Sequence, residues 1–494
     1  MKLVLVNPPL IGHARDLFGS IPSIPVGLLY VAAAVRAQGH EVSVLDAFGA
    51  AHHTRRPWLS GYLLSGLLPE ETARAIPRDT GLVGISMHSG LSFTYARELL
   101  ARVRALGIPV VMGGPFASTC PEEWIRAGAD FVILGEGENA LPELLNTLSA
   151  GQPPPEKVIR AAPAEDADSL PFPAYDLISL EPYHAAGRAH GPIRGPYLPL
   201  ITSRGCPHEC AFCAAPSLGG RQWRPRDPER VKAEVREMQR RYGVNDFHVQ
   251  DDNCAASPAR AQSLFRSLAR LSPPASFCLC SGIRSDDVSR ELLETMVKGG
   301  VRHVSFSPES GSPRIRALMK KKVDVSHLMD LVGYARRLGL KTQACFILGF
   351  PGETGKDRAM TRDMIRRMVA RGLDDVSLFI MAPVPGSACE GMLGTVPEPE
   401  GLSWSPVWRP DYPRLQKARM TWYMDFFLQK LIHHPAGFLG YFAGALSGRY
   451  RTKGEMVIGS LGRRWIRDFP IPGHPGRLSL GNRRGKSPGG EVSR

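Results

Sequence analysis

Cysteine is scarce in this chain, with nine in 494 residues. So sparse and odd a set excludes a disulfide framework and leads us to expect a reducing, cytoplasmic compartment. Long apolar runs are missing as well. The best stretch, Ala436 to Leu446, is too short and too glycine-rich for the ~20 residues a membrane helix needs. No signal peptide is visible, because Met1-Lys2-Leu3-Val4-Leu5-Val6 runs straight into Asn7-Pro8-Pro9 without an adequate apolar core or cleavage site. Acidic side chains are in deficit, 47 against 61 Lys and Arg, for a net charge of +14. A uniformly basic surface would point to nucleic acid or an anionic membrane. The charge is not uniform: the net is −2 over 1–150, +5 over 151–400 and +11 over 401–494. No nucleic-acid partner is therefore expected, and membrane-surface contact is left to the basic C-terminal segment.

What is present is an ordinary globular composition, 43% hydrophobic and 22% charged, long enough for two to four domains of about 150 residues. Over 1–150, short apolar runs at Lys2–Val6, Glu41–Leu45, Leu82–Ser86, Pro109–Met112 and Phe131–Leu134 read as buried parallel strands. Amphipathic stretches such as Val26–Gln38 and Phe93–Leu106 lie between them. This predicts a doubly wound, Rossmann-like α/β domain with its ligand beyond the carboxyl ends of the strands. Residues 151–196, rich in Pro and Gly, read as an ordered linker. Alternation resumes with candidate strands at Leu198–Ser203, Asp246–Gln250, Ser276–Ser281, His303–Ser307, Thr342–Leu348 and Val376–Met381. Six such units over 197–395 suit a partial (β/α)6 TIM-like barrel with its chemistry at the C-terminal strand ends. A mostly helical cap is expected over 396–470 and a disordered basic tail over 471–494.

Three of the nine cysteines stand within eight residues, in Arg204-Gly205-Cys206-Pro207-His208-Glu209-Cys210-Ala211-Phe212-Cys213. This C-x3-C-x2-C loop directly follows a candidate strand. Three thiolates on one short loop suit iron–sulfur or zinc, and three rather than four leave one metal position open. The alternatives are a structural zinc loop borrowing His208, or plain buried cysteines.

The segment resembles the radical S-adenosylmethionine (SAM) superfamily, in which this spacing holds a [4Fe–4S] cluster whose unique iron is chelated by SAM. The resemblance implies Cys206, Cys210 and Cys213 as ligands, with Phe212 as the usual aromatic before the third. It also places SAM contacts at Gln250, Asp251 and Asp252 after the second strand and at Arg284 after the third. Glu309 and Ser310 follow the fourth strand, and Leu348 and Gly349 end the fifth. The α/β domain ahead of such a barrel resembles the cobalamin-binding class. That implies cofactor contacts at Asn7 and Pro8, Ser86 and Met87, Gly113 and Gly114, and Gly135-Glu136-Gly137. Gly113-Gly114 lets the backbone approach a ligand with no Cβ in the way, and Ser86 is expected to bond a buried dimethylbenzimidazole tail. The mutase-type Asp-x-His-x-x-Gly is absent, its place taken by Asn7-Pro8-Pro9-Leu10, with His13 read as a solvated loop residue. Base-off cobalamin without a histidine on cobalt is expected.

The resemblance implies a C-methyltransferase acting on an unactivated carbon of a small molecule, fed by an electron donor such as a flavodoxin or ferredoxin. A 5′-deoxyadenosyl radical abstracts hydrogen and methylcobalamin delivers the methyl group. Cyclisation, ring contraction or oxidation with the same cofactors is the alternative outcome, and a non-catalytic cobalamin sensor a further one. A tRNA methylthiotransferase needs three more cysteines in the first domain, where only Cys120 stands. Two roles stay open for Cys254, Cys278, Cys280 and Cys345: core filling, or a second cluster or thiols near substrate. The C-terminal aromatics, Trp404, Trp408 and Trp422 among them, suit a helical cap on the barrel, a substrate selector or a membrane contact.

Overall fold

The computed structural model describes residues 1–14, 21–154, 156–394, 396, 398–403 and 405–459. The expected tail at 471–494, the end of the cap from 460 and Trp404 lie outside the described residues.

The N-terminal domain is a six-stranded parallel sheet. Its strands run Glu41–Asp46, Lys2–Asn7, Leu82–Ser86, Val110–Gly113, Phe131–Leu134 and Val158–Arg160 from edge to edge. Helices Val26–Ala37 and Gly137–Ser149 cover one face, packing Ala32 and Leu141 on Leu3 and Leu5. Phe93–Arg104 and Pro121–Ala127 cover the other, where Leu99 and Trp124 meet Val6 and Val83. Both faces are dry, which is why the strands read as near-continuous apolar runs. The strand order reverses between Lys2–Asn7 and Leu82–Ser86, so the crevice at their carboxyl ends opens beside Asn7, Pro8, Ser86 and Met87.

Two features depart from the sequence reading. Val158–Arg160, within the expected linker, pairs in parallel with Phe131–Leu134 and extends the sheet past residue 150. A small antiparallel sheet of Leu10–His13, Tyr62–Ser65 and Arg55–Pro57 sits beside the domain. His13 is thus a strand residue with its ring edge-on to Tyr62 at 5.3 Å, not a solvated loop histidine.

Six parallel strands in chain order form the second sheet: Tyr197–Leu200, Asp246–Val249, Ser276–Ile283, Val301–Glu309, Lys341–Leu348 and Asp375–Ile380. Helices Pro228–Tyr242, Pro258–Leu268, Arg290–Lys298, Val325–Arg337 and Gly355–Arg371 alternate with them. Their starts are fixed by side-chain caps from Asp227, Ser257, Ser289, Asp324 and Thr354, each worth about 1 kcal/mol. Phe247, Phe277, Phe306 and Phe346 join Val235, Leu264 and Leu292 of the helices in the main core. Alternation then turns His248, Cys278, His303, Ser305, Gln343 and Cys345 toward the barrel interior. That interior is polar, where branched apolar residues usually dominate.

The C-terminal segment is the expected helical cap. Tyr412–His433 lies against Gly355–Arg371, where Asp425 accepts from Arg362 at 2.8 Å and from Arg366 at 2.8 and 2.9 Å. Pro435–Ser447 follows, and Tyr450 N–H donates to the Ile193 carbonyl at 2.7 Å, joining the cap to the segment before the first barrel strand. Among the described residues no helix is long and apolar enough to cross a membrane.

The two guanidiniums hold the Asp425 carboxyl down at about 2. Its stabilisation is therefore complete above the ordinary carboxylate pKa and is lost as pH falls toward 2. Asp425→Asn is expected to cost about 1–2 kcal/mol, discounted because both arginines are part-exposed. Urea unfolding measures the loss, and hydrogen exchange is expected to rise first in Tyr412–His433.

Candidate functional site

The cysteine loop is built from its base upward. The chain leaves the first barrel strand, and Ser203–Arg204 pairs antiparallel with Arg224–Pro225, which staples the two ends of the loop together. Gly205, with φ +77°, passes so close to the Gln222 carbonyl that a Cβ would overlap it. Beneath the staple, the Asp251 carboxylate accepts from Thr202 N–H, the Thr202 hydroxyl and the Ser203 hydroxyl, each at 2.6 Å. On the far side Ala211 N–H donates to the Met319 carbonyl at 2.9 Å, and Phe212 packs near Ile315 and Phe350.

Cys206, Cys210 and Cys213 are half-buried on this loop, close enough for their charges to act on one another. Ala215 N–H donates to Cys213 Sγ at 3.4 Å. Burial raises the Cys206 thiol and pushes Cys213 to about 11, and Asp252 beside them adds to both shifts. Left alone, these thiols stay protonated at neutral pH, so the pocket is no activated nucleophile and needs a cationic group to draw the thiolates out. Among the described residues no three His, Cys, Asp or Glu side chains converge on a single metal ion. That disfavours the zinc loop with His208. A cluster takes each thiolate at a separate iron, and three spread thiols fit it.

Around the loop, the other candidates divide. Asp252 is exposed and its carboxylate faces Gly205 N–H and the thiols. Gln250 is half-buried, and its N–H donates to Leu200 O at 2.9 Å. Arg284 donates to the Lys322 carbonyl at 3.0 Å and stands near His208. Glu309 is one of two non-glycine residues with positive φ among those described, at +64°. It is buried, with Lys321 at 3.6 Å. Gly349, φ +73°, turns its carbonyl to Arg409 at 3.0 Å, and a Cβ there would overlap Leu415 of the cap.

Four side chains do structural work where cofactor contact was expected. Asp251 is fully committed beneath the staple. The Ser310 hydroxyl lies buried against Thr361 at 3.2 Å and accepts from Ser312 N–H. The Leu348 side chain belongs to the main core. Met87 is buried in the first domain's core, with its N–H on the Gly113 carbonyl and its own carbonyl on Phe116 N–H. In each case burial has enlisted the side chain in packing, which a motif position cannot reveal.

The first domain presents its strand ends to this loop. Gly113 has open space where a Cβ would stand, and Gly114 (φ +95°) lies against the Met87 backbone. Asn7 donates to Asp46 at 2.9 Å and to the Tyr183 hydroxyl at 3.1 Å. A Cβ on Gly135, φ +86°, would lie 3.8 Å from the carbonyl of Leu218, in the helix Ala215–Leu218 just beyond Cys213. Gly137 starts the next helix close to Val31. Glu136 is engaged at the junction between the domains. It pairs with Arg204 at 3.2 Å and with Arg224, and Arg204 reaches Glu138 at 2.6 Å. The Arg204 guanidinium also lies over the Tyr30 ring at 5.2 Å. These arginines hold the Glu136 carboxyl below its usual range against the opposing effect of burial. Sequence reading missed this junction, although Arg204 directly before Gly205-Cys206 was its visible half. His88 was missed as well. It is exposed to the space between the domains yet enclosed by protein, which lowers its pKa.

Fold and site together define a radical SAM protein with a cobalamin domain at its N-terminus. The chain carries a radical SAM domain, matched over residues 200–365, and a B12 binding domain, matched over 22–145. Its cofactors are accordingly a [4Fe–4S] cluster, SAM and cobalamin. The chain is 28% identical over 409 residues to an uncharacterized methyltransferase of Pyrococcus horikoshii, covering 78% of this chain and 82% of that one. It is 26% identical over 435 residues to the cytidylyl-2-hydroxyethylphosphonate methyltransferase of Streptomyces wedmorensis, covering 78% and 80%. The solved structure of TsrM from Kitasatospora setae, a radical SAM methyltransferase with cobalamin and [4Fe–4S] cluster bound, shares the fold. Its TM-score is 0.61 at 20% identity, covering 80% of this chain and 78% of that one.

Replacing Cys206, Cys210 or Cys213 by alanine is expected to drop bound iron from about four per chain to near zero, while Cys278→Ala leaves it unchanged. Iron quantitation after anaerobic reconstitution checks both. Arg204→Met strands Glu138, while Glu136 keeps Arg224, and is expected to cost about 3 kcal/mol in urea unfolding.

Proposed function

We propose that the protein is a cobalamin-dependent radical SAM C-methyltransferase that acts on an unactivated carbon of a small molecule. The observation that carries this reading is the Gly135 approach to the Leu218 carbonyl, with Arg204 clamped by Glu136 and Glu138, because it sets the cobalamin-domain edge against the cysteine loop. The bound cofactors supply a 5′-deoxyadenosyl radical and a transferable methyl group, and the protein contributes position and exclusion of water.

In this reading Cys206, Cys210 and Cys213 would hold the cluster through three of its irons, and the cluster would supply the electron that cleaves SAM. Asp252, Glu309 with Lys321, and the backbone at Gly349 line the SAM side. Gly113, Gly114, Asn7, Pro8 and Ser86 line the cobalamin side. No imidazole directly follows the first strand, where Asn7-Pro8-Pro9 stands, and His13 is packed on Tyr62, so the mutase-type position would offer cobalt no histidine. The methyltransferase names of the Pyrococcus and Streptomyces relatives support methyl transfer. A cyclase among the relatives, the anaerobic magnesium-protoporphyrin IX monomethyl ester cyclase of Synechocystis, keeps the non-methylating outcome as the second reading. An acidic flavodoxin or ferredoxin is the proposed electron source, and a reducing cytoplasm the proposed setting for nine unpaired thiols.

With SAM and a strong reductant under anaerobic conditions, the cobalamin-loaded enzyme is expected to form 5′-deoxyadenosine. Extracts of a deletion strain are expected to accumulate a metabolite lighter by one CH2 than the normal product. A product without that mass difference selects the second reading, and absence of 5′-deoxyadenosine rejects both.

A further inference from the structure

The outer face of the C-terminal helices is apolar where a water-facing helix carries polar groups. In Tyr412–His433, Met420, Met424, Leu428 and Ile432 recur at intervals of four, which sets them in one stripe. All four are exposed, Met424 at 72% and Ile432 at 60%. The next helix, Pro435–Ser447, exposes Leu439, Phe442 and Leu446, the last at 90%. Phe427 joins the two helices, edge-on to Phe438 at 6.5 Å and to Tyr441 at 6.1 Å.

The inner side of the first helix is occupied in holding it to the barrel. Trp422 and Phe426 enter the main core. Between Met420 and Ile432 the two charged residues point inward: Asp425 is taken by Arg362 and Arg366, and the Lys430 ammonium donates to the carbonyls of Leu373, at 3.3 Å, and Asp374. Over this stretch the helix is apolar toward the core and apolar toward the outside. Such a face marks a surface that something else covers.

The exposed charges at the ends of the pair are positive. Arg414 and Lys417 precede the stripe, and Arg449 follows the second helix. From 412 to 451 the sequence holds a single carboxylate, Asp425, and it is buried. Residues 460–494 add eight basic side chains against two acidic ones. We propose that this helix pair is a docking face for the surface of an anionic lipid membrane. Met424, Leu428, Ile432, Leu439 and Phe442 would enter the boundary of the acyl chains, and Arg414, Lys417 and Arg449 would meet the headgroups. The contact is superficial, since among the described residues no helix is long and apolar enough to span. Anionic headgroups supply the charge this face lacks. A second copy would instead set positive ends against positive ends, with no exposed carboxylate on either helix pair to offset them.

The test sediments the full chain, loaded with cluster and cobalamin, with vesicles of phosphatidylcholine alone and of equal parts phosphatidylcholine and phosphatidylglycerol. Binding to the mixed vesicles is expected, weaker at high salt, with little binding to phosphatidylcholine alone. Leu428→Glu with Leu439→Glu is expected to weaken it at least about tenfold, because two apolar anchors are lost and two like charges gained. Met424→Gln with Ile432→Gln is expected to weaken it too. Bound iron and thermal unfolding are expected to be unchanged in both variants, whose altered side chains are exposed. No binding of the wild type to the mixed vesicles overturns the proposal. Equal binding by wild type and both variants also overturns it, assigning the attraction to the basic residues beyond the helices. A wild-type dimer, seen by light scattering without vesicles and dissociated by Leu428→Glu with Leu439→Glu, assigns the face to a second copy and overturns it as well.

Discussion

The arrangement depends on one buried ionic junction: Arg204 held between Glu136 and Glu138 and stacked on Tyr30. Arg204 belongs to the base of the cysteine loop, Tyr30 to a helix of the first domain, and the two glutamates to the turn after its fifth strand in chain order. Burying a guanidinium costs several kcal/mol, which the paired carboxylates offset without much surplus. The value of the junction is therefore geometric. Ile24, Val26, Leu29 and Phe48 of the first domain already share the main hydrophobic cluster with the barrel, and the junction adds direction to that seam, where a reaction spanning two cofactors tolerates little displacement.

Around that junction the second domain separates its two faces by chemistry. Outward side chains such as Phe247, Phe277 and Phe306 make a dry core with the helices, which supplies the stability. Inward side chains such as His248, His303 and Gln343 are polar and buried, which puts donors and acceptors in an interior that branched apolar residues usually fill. Closure comes from elsewhere, where Tyr450 of the cap meets Ile193 ahead of the first strand.

Much of this was legible residue by residue. The strands appeared as apolar runs because both faces of a parallel sheet are buried. The helices beginning at Val26 and Phe93 followed from their amphipathic spacing, and the cysteine loop from its own spacing. What escaped was short or distant. Val158–Arg160 has three residues and no periodicity, and only a neighbouring strand makes it one. Glu136 looked like part of a ligand-binding glycine turn because its partners, Arg204 and Arg224, lie 68 and 88 residues away. Asp251 and Asp252 are adjacent and chemically identical, yet one is locked under the loop and the other exposed beside the thiols.

The sequence by itself determined the class of chemistry: three cysteines in eight residues after a strand, and two alternating α/β domains, each set by local spacing and hydrophobic period. It also placed +11 of the net +14 charge in the last fifth of the chain. Only the tertiary structure decided which carboxylates join the domains and which stand exposed beside the thiols. Those outcomes depend on which distant groups burial brings within hydrogen-bond reach, and no local pattern encodes that.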